Sequence, residues 1–469
     1  MEAVLKIFNA AKVPLEYVPV EMGKYIYDMG HSSGMTAEAK NTIESLGILF
    51  KGPMETPKGK GVKSINVTAR KVWNTYANKR IFKSLKGVES VFSMAGIPIN
   101  ITIIRENIED TYGGIEHMLT PDVALCRRLI TRPGSLQLHR YAFETARRKG
   151  AHKVTCGHKA NIMKMTDGIF LETFYEMAKE FPDIAANDVI VDDLAMKLVV
   201  KPNEFDIIVL PNLQGDILSD LCAGLVGGLG FAPSANIGDN ISIFEAVHGT
   251  APDIAGKNIA NPTALLMSGI MMLRHVGLNE SAARIENALL RTLEQGIHTS
   301  DFGIGGSAPL NTTEYAEAII KNLGHLPHEM APTMPVAHDE LTHKPPVKPD
   351  GNIMKESRTQ KEEILGVDFF VESNAQPKQV ARKILDAISQ DFELQLISNR
   401  GTQVWPTGSV FTECIDQYRV RVLSKNDKPV SQEDILREAV RLAAHFKICS
   451  LEMLMNFDGK KSFSLAQGQ

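Results

Sequence analysis

Two aspartates one helical turn apart are the sharpest chemical feature of this sequence. Asp216 and Asp220 lie in NLQGDILSD (212–220), directly after the apolar run FDIIVLPN. On a helix this spacing places both carboxylates on one face, where like charges repel each other. Mg²⁺ or Mn²⁺ reverses that repulsion, because both ions favour carboxylate oxygens. The alternative is that the acids only complement the dipole at the N-terminus of a helix.

A second acidic element ends another predicted strand. IVDDLA offers Asp192 or Asp193 as a further oxygen ligand. A single acid in such a place is ordinarily a helix cap. The metal-site hypothesis therefore rests on the combination of these acids.

Polar and basic residues after a Gly/Pro-rich loop could bind a polyanion. They are Ser64, Asn66, Arg70, Arg80 and Arg105. A helix beginning after Val62 would offer N-terminal backbone N–H groups to an anion. Arginine binds carboxylates through two parallel hydrogen bonds, so the three arginines favour a di- or tricarboxylate. Surface ion pairs are the alternative.

Two residues could transfer protons. Tyr112 follows Arg105 by seven residues, and Lys159 follows the predicted strand HKVTCGH. Either could act if its surroundings shift its pKa. Either could instead be a partly buried side chain with only its polar end in water.

The loop EAVHGTAPDIAGKNIANP (245–262) is a candidate nucleotide-binding segment. Its small residues let the backbone approach a ligand closely. Asp253 could accept a hydrogen bond from a ribose 2′-hydroxyl and would repel a 2′-phosphate, which favours NAD over NADP. The run GLVGGLGF (224–231) does not follow a strand and open a helix, so we do not interpret it as a dinucleotide fingerprint.

The elements that must position these residues alternate along the chain. INITIIREN (99–107), HKVTCGH, DVIVDDLA (188–195) and FDIIVLPN have the composition of strands, with helical patterns between them. Such alternation predicts an α/β fold with a substantially parallel sheet. Prolines concentrate after residue 326, and residues 326–364 are interpreted as a linker. A β, α, β, β, α order then predicts a small α+β domain over 365–469.

Composition narrows the class of protein. The chain has 469 residues, a formal net charge of -4 and no basic footprint for nucleic acid. No apolar run is long enough for a membrane span, and the first residues lack the pattern of a secretory signal. Five scattered cysteines without a C-x-x-C fit a reducing compartment. We therefore expect a cytoplasmic protein with no nucleic-acid or membrane partner.

Taken together, these segments resemble the β-decarboxylating dehydrogenases, the family of isocitrate and 3-isopropylmalate dehydrogenases. NLQGDILSDL, GGLGFAPSANIG and FEAVHGTAPDIAGKNIANPTA carry the resemblance, which covers residues 1 to about 325. ISNRGTQVWP and FDGKKSFSLAQG resemble the C-terminal extension of some bacterial and algal isocitrate dehydrogenases.

The resemblance implies a two-domain α/β fold that is not a Rossmann fold. It implies a large cofactor-binding domain of residues 1–75 and 227–325, a small dimerisation domain of residues 76–226, and a clasp near 110–131. Family members normally begin with a strand and a GDGIGPE-type loop, whereas this chain begins at the helical pattern MEAVLKIFNAA. Either the true start lies upstream, or the large domain lacks its first strand.

The resemblance also assigns roles to individual residues. Residues expected to bind substrate carboxylates are Thr56, Ser64, Asn66, Arg70, Arg80 and Arg105. Proton transfer falls to Tyr112 and Lys159, and Mg²⁺ or Mn²⁺ binding to Asp192, Asp216 and Asp220. Residues expected to bind the cofactor are Asn161, His248, Gly249, Asp253, Ile254 and Asn261. In this family the equivalents of Lys159 and Asp192 come from the neighbouring subunit, which implies a homodimer.

The implied reaction is the oxidative decarboxylation of isocitrate to 2-oxoglutarate and CO₂. Ser64 and Asn66 match the isocitrate-type pattern, where isopropylmalate enzymes have apolar residues. NADP-dependent members typically have Lys-Tyr where this chain has Asp253-Ile254, so NAD is the expected cofactor. Alternatives are a homoisocitrate, isopropylmalate or tartrate dehydrogenase, or a non-catalytic regulatory subunit. The C-terminal domain could be an interface in a higher oligomer or a ligand sensor.

Overall fold

A computed structural model describes residues 1–55, 64–302, 308–335, 346–347 and 360–465. The chain divides into two compact units. The first comprises residues 1–113 and 128–352, and the second comprises residues 114–127 and 353–469. Within the described residues, no helix has both the length and the apolar character needed to cross a bilayer.

Ten strands and twelve α-helices form the described chain up to residue 335. The strands are β1 (Ile48–Phe50), β2 (Ala77–Lys83), β3 (Asn100–Glu106), β4 (Asp110–Thr120), β5 (Val123–Leu129), β6 (Lys153–His158), β7 (Ala185–Ile190), β8 (Ile207–Leu210), β9 (Pro233–Ile237) and β10 (Ser242–Ala246). The helices are α1 (Glu2–Ala10), α2 (Lys24–Asp28), α3 (Ala37–Leu46), α4 (Ile65–Val72), α5 (Val91–Met94), α6 (Arg132–Lys149), α7 (Thr166–Ala178), α8 (Val191–Val200), α9 (Asn212–Leu225), α10 (Thr263–His275), α11 (Asn279–Glu294) and α12 (Thr312–Lys321).

An eight-stranded mixed sheet organises the first unit. Its order is β1-β10-β9-β2-β3-β8-β6-β7. The pairs β1/β10, β3/β8, β8/β6 and β6/β7 are parallel, whereas β10/β9, β9/β2 and β2/β3 are antiparallel. The α/β prediction is therefore confirmed, and the antiparallel centre brings β2, β3 and β9 side by side.

Strand β8 shows how the sheet is buried on both faces. Ile207 and Val209 belong to one cluster of buried apolar side chains, and Ile208 and Leu210 belong to another. Successive strand residues point to opposite faces, so a strand between two cores has no polar position. This explains the uninterrupted apolar run before Asn212.

One predicted boundary is wrong. DVIVDDLA was expected to be a strand, but β7 ends at Ile190 and α8 begins at Val191. Asp192 and Asp193 thus lie in the first turn of a helix, where acidic side chains complement the helix dipole.

The second unit is an antiparallel sheet covered by two helices. Its elements are β11 (Glu362–Glu372), α13 (Pro377–Ala387), β12 (Phe392–Asn399), β13 (Thr402–Trp405), β14 (Gln417–Ser424), α14 (Gln432–Ala443), β15 (Lys447–Phe457) and β16 (Lys460–Lys461). The strand order is β13-β12-β14-β11-β15-β16, and both helices contribute to one apolar core. The predicted small α+β architecture is confirmed.

The β4/β5 hairpin contributes residues 114–127 to this second unit. Thr120 Oγ1 donates a hydrogen bond to Asp416 Oδ1 at 3.2 Å, and Arg127 forms an ion pair with Glu452. Most of the predicted linker, residues 336–345 and 348–359, lies outside the described residues.

Candidate active site

The acids of α9 lie against the predicted arginines. Arg105 at the end of β3 forms an ion pair with Asp216, and Arg80 Nη2 lies 3.5 Å from Asp216 Oδ1. Arg80 Nη1 also lies 3.7 Å from Asp220 Oδ1. The Tyr112 hydroxyl donates to Asp216 Oδ2 at 2.5 Å. The structure thus brings together five residues that the sequence places in three separate segments.

A glycine allows this close approach. Gly215 precedes Asp216 on α9, and a Cβ atom there would lie 2.7 Å from Arg105 Cγ. The Arg105 guanidinium also donates to Asn212 Oδ1 through Nε at 3.0 Å and through Nη2 at 2.7 Å. Arg105 is therefore anchored along the first turn of α9.

Burial and mutual charge control the ionisation of this cluster. Burial, reinforced by Arg105, lowers the pKa of Arg80 to about 10, so the group is still cationic at neutral pH. Burial would raise the pKa of Asp216, but Arg105, Tyr112 and Arg80 outweigh it and the pKa is lowered. Burial raises the pKa of Asp220, and Asp216 adds to this effect while Arg80 opposes it. Asp220 therefore lacks a full counter-charge, which suits it to a cation.

Arg70 belongs to a second buried cluster that sequence reasoning missed. Its Nη2 lies 2.9 Å from Glu245 Oε1, and Glu245 also pairs with Lys51. Burial would raise the pKa of Glu245, but Lys51 and Arg70 hold it well below its usual range. Glu245 is the first residue of the segment interpreted as nucleotide-binding, so its position gave no signal for an arginine partner.

Buried amides connect the two clusters. Asn236 Nδ2 donates to Glu245 Oε1 at 2.8 Å, and its Oδ1 accepts from Asn78 Nδ2 at 2.8 Å. Asn78 Oδ1 in turn accepts from Arg80 Nε at 2.6 Å. Arg70 and Arg80 are thus held in one continuous hydrogen-bonded network through β2, β9 and β10.

Two side-chain polar atoms of helix α4 have no hydrogen-bond partner among the described residues. They are Arg70 Nε and Asn66 Oδ1, and both are buried. Buried polar groups are rarely left unsatisfied, so these atoms mark a place for a polar ligand. Ser64 is the N-cap of α4, as the sequence predicts, whereas Thr56 lies outside the described residues.

Lys159 and Asp192 form a separate pair. The Lys159 Nζ makes an ion pair with Asp192 Oδ1, and this hydrogen bond lowers the pKa of Asp192. Within the described part of the chain, no group of three or more His, Cys, Asp or Glu side chains could hold a metal ion. A single chain therefore does not assemble Asp192 with Asp216 and Asp220.

A cavity of about 940 Å³ adjoins the predicted cofactor loop. His248, Gly249, Ile254 and Asn261 line it. Asp253 and Asn161 are not among the described residues that do, whereas Lys6 of α1 is. The volume lies within the range typical of cofactor sites. Four of the six predicted cofactor residues therefore share one cavity.

The chain belongs to the isocitrate/isopropylmalate dehydrogenase family, whose model matches residues 1–319. Residues 362–469 match the family described as bacterial isocitrate dehydrogenase, C-terminal domain.

Individual relatives agree with this assignment. Isocitrate dehydrogenase [NADP] of Thermus thermophilus is 45% identical over all of this chain and 93% of its own length. Isocitrate dehydrogenase [NAD] catalytic subunit 5 of Arabidopsis thaliana is 46% identical over 69% of this chain and 84% of its own length. The crystal structure of the TT0538 protein from Thermus thermophilus is 44% identical, covers 100% of this chain and 93% of that one, and has a TM-score of 0.91.

These relatives overturn the prediction of NAD dependence. Relatives that match over the whole chain carry names that specify NADP. The prediction rested on the negative charge of Asp253 beside Ile254, but the described lining of the cavity includes Ile254 and Lys6 without Asp253. A charge repels a 2′-phosphate strongly only where the two groups face each other, since water screens exposed charges.

Proposed function

We propose that this protein catalyses the oxidative decarboxylation of isocitrate with hydride transfer to NADP. The observation that carries the proposal is the placement of Asp216 and Asp220 against Arg80, Arg105 and Tyr112. Buried guanidiniums can bind the carboxylates of a substrate that has several of them, and the neighbouring acids can hold a cation beside it. The full-length relatives named isocitrate dehydrogenase [NADP] support both the substrate and the cofactor.

The arginines bind and orient the substrate. Arg70, Arg80 and Arg105 are buried or nearly so, and a guanidinium removed from water binds carboxylates more strongly than an exposed one. Arg70 Nε and Asn66 Oδ1 provide unsatisfied polar atoms beside them. Holding the reacting carbon in one position can contribute several kcal/mol to catalysis.

Asp216 and Asp220 are the residues that would hold Mg²⁺ or Mn²⁺ in this subunit. Carboxylate oxygens are the donors that these ions favour. A nearby cation would stabilise the ionised form of Asp220, whose pKa burial raises. When bound, the ion would act as a Lewis acid on the hydroxyl and carboxylate oxygens of the substrate. Asp192 of a second copy would complete the ligand set.

Tyr112 and Lys159 are the side chains proposed to transfer protons. Burial and the hydrogen bond to Asp216 raise the pKa of Tyr112, so its phenol stays protonated at neutral pH and is suited to deliver a proton to C3 of the product. Lys159 is assigned to accept the hydroxyl proton as C2 loses its hydride to the nicotinamide. The neutral amine is the form of Lys159 that can accept this proton, and its Nζ lies against Asp192, which is itself assigned to the metal.

A homodimer is part of this proposal. Met196 and Val200 of α8 and Ile217 of α9 are 54%, 63% and 61% exposed. Adjacent exposed apolar side chains on two helices favour an interface with a second copy of the chain. Such an interface would carry Lys159 and Asp192 toward the acids of the partner.

An activity screen of the purified chain tests the function. D-isocitrate, homoisocitrate, 3-isopropylmalate and tartrate are each supplied with NADP or NAD, in Mg²⁺ or EDTA, and the reduced nucleotide and 2-oxoglutarate are measured. We expect metal-dependent turnover with the highest kcat/KM for isocitrate and NADP. Faster turnover of another acid would assign a different substrate, and no turnover of any acid would favour a regulatory subunit.

A further inference from the structure

Arg128, near the end of β5, joins two carboxylates that are themselves fully buried. Its Nε donates to Asp110 Oδ1 at 2.6 Å, and its Nη1 forms an ion pair with Asp167. The Asp110 and Asp167 side chains have no exposed surface, and the Arg128 side chain is 15% exposed. Burying two carboxylates that share one cation destabilises the fold unless other donors form hydrogen bonds with them.

Other donors satisfy these carboxylates, among them the Gln214 side chain at Asp167 and the Thr111 N–H at Asp110, and two of the donors are backbone groups next to the candidate site. Asp167 Oδ2 accepts from the N–H of Lys159 at 2.6 Å. Asp110 Oδ2 accepts from the N–H of Leu213, in the first turn of α9, at 3.0 Å. The same helix carries Asp216 one turn later. One guanidinium therefore connects the loop that carries Lys159 to the helix that carries the acids.

We infer that Arg128 is a positioning residue for Lys159, an inference that rests on the proposed function. Through Asp167 and Asp110 it fixes the backbone of Lys159 relative to the first turn of α9. Because α9 also belongs to the proposed dimer surface, the same contacts fix where Lys159 is presented to the partner. Arg128 affects turnover through Lys159 and makes no contact with the substrate.

The geometry requires an arginine. Nε, Nη1 and Nη2 point to Asp110, Asp167 and the Gln214 side chain respectively, with Nη2 3.4 Å from Gln214 Oε1. Nη1 also donates a hydrogen bond to Thr166 Oγ1 at 3.1 Å. A lysine carries the same charge but cannot reach both carboxylates with a fixed planar fork.

The test compares Arg128→Lys with Arg132→Lys. Arg132 also bridges two carboxylates, Glu172 and Glu176, but its side chain is 47% exposed and none of these groups contacts Lys159. We expect Arg128→Lys to lower kcat about 10- to 100-fold with little change in the KM for isocitrate, because a small displacement of a catalytic group has effects of this size. Arg132→Lys should leave both unchanged.

Two further measurements separate positioning from general destabilisation. In a Lys159→Met background, Arg128→Lys should lower the residual kcat no further, since a residue that acts only through Lys159 has no effect once Lys159 is gone. Amide hydrogen exchange at Lys159 should accelerate about tenfold or more in Arg128→Lys.

The outcomes that overturn the inference are distinct from failure of the proposed function. Fully additive losses of kcat, or a loss expressed in KM alone, would exclude positioning through Lys159. Unchanged exchange at the Lys159 amide would exclude the structural connection itself, whatever substrate the enzyme uses. If the wild type does not turn over isocitrate, the proposed function fails, and the exchange measurement still decides whether Arg128 holds Lys159.

Discussion

Replacing Glu245 by glutamine tests whether the buried cluster around Arg70 depends on one carboxylate. Glutamine preserves the size of the side chain and removes its charge. Lys51 and Arg70 would then be two cations in a buried site, with Lys51 7% exposed, and without the counter-ion that both contact. Removing one partner of a buried ion pair typically costs about 3–5 kcal/mol.

We therefore expect Glu245→Gln to lose about 3–5 kcal/mol in the free energy of unfolding. Glu286→Gln is the control, because Glu286 forms an ion pair with Arg274 and with no other side chain in the described part of the protein, and both side chains lie outside the candidate site.

The assay is denaturant unfolding with and without isocitrate. A tricarboxylate at Arg70 would supply the missing negative charge, so isocitrate should stabilise Glu245→Gln more than it stabilises the wild type. A loss below about 1 kcal/mol, the size of an exposed ion pair, would refute the reasoning about burial. A smaller effect of isocitrate on the variant would refute the placement of a substrate carboxylate beside Arg70.

The same cluster gives a pH dependence with a definite sign. The folded-state pKa of Glu245 is depressed by Lys51 and Arg70, although burial alone would raise it. A depressed carboxyl pKa contributes stability that is present above the unfolded value near 4.3 and is lost as the pH falls toward the folded value. The difference in stability between wild type and Glu245→Gln should therefore be constant above about pH 5 and shrink under more acidic conditions.

Three further predictions concern the acids of α9, the shared site and the glycine beside Arg105. Asp216→Asn should lower turnover about a hundredfold or more at saturating Mg²⁺; nearly full activity there would remove Asp216 from the ligand set. Co-expressed Tyr112→Phe and Lys159→Met chains, each of strongly reduced activity alone, should recover up to about a quarter of wild-type activity, because half of the dimers would be mixed and each would have one intact site; activity no higher than that of the parents would mean that Lys159 acts within its own subunit. Gly215→Ala should raise the KM for isocitrate about tenfold by displacing Arg105, whereas Gly224→Ala, which has no neighbouring atom within 4 Å of its added Cβ, should leave it unchanged; equal KM values for the two variants would contradict the close approach at Gly215.

Local spacing was sufficient for the parts of the site that lie within one element. The separation of Asp216 and Asp220 predicted two carboxylates on one helical face, and both lie on α9. Ser64 was predicted near the start of a helix and is the N-cap of α4. Such features depend on the geometry of neighbouring residues, which a sequence contains.

The charge of a residue was not sufficient to predict the cofactor, because the effect of that charge depends on where the side chain points. Asp253 was recognisable as an acid in a loop of small residues, but its negative charge excludes a 2′-phosphate only if it faces the nucleotide. The described lining of the cavity includes Lys6, which is far from Asp253 in sequence. The cofactor prediction was wrong because a residue type does not specify which way a loop side chain points.

By itself, the sequence determined the alternation of strands and helices, the small α+β domain and the pair of acids on α9, because each follows from periodicity over a few residues. Tertiary structure decided the ion pairs of Arg70 with Glu245 and of Arg128 with Asp110 and Asp167. Arg70 and Glu245 are 175 residues apart, and they pair where Glu245 also accepts a hydrogen bond from the buried Asn236 amide on β9. Contacts of this kind depend on strand order and on burial, which make an unpaired charge costly and so select partners from distant parts of the chain.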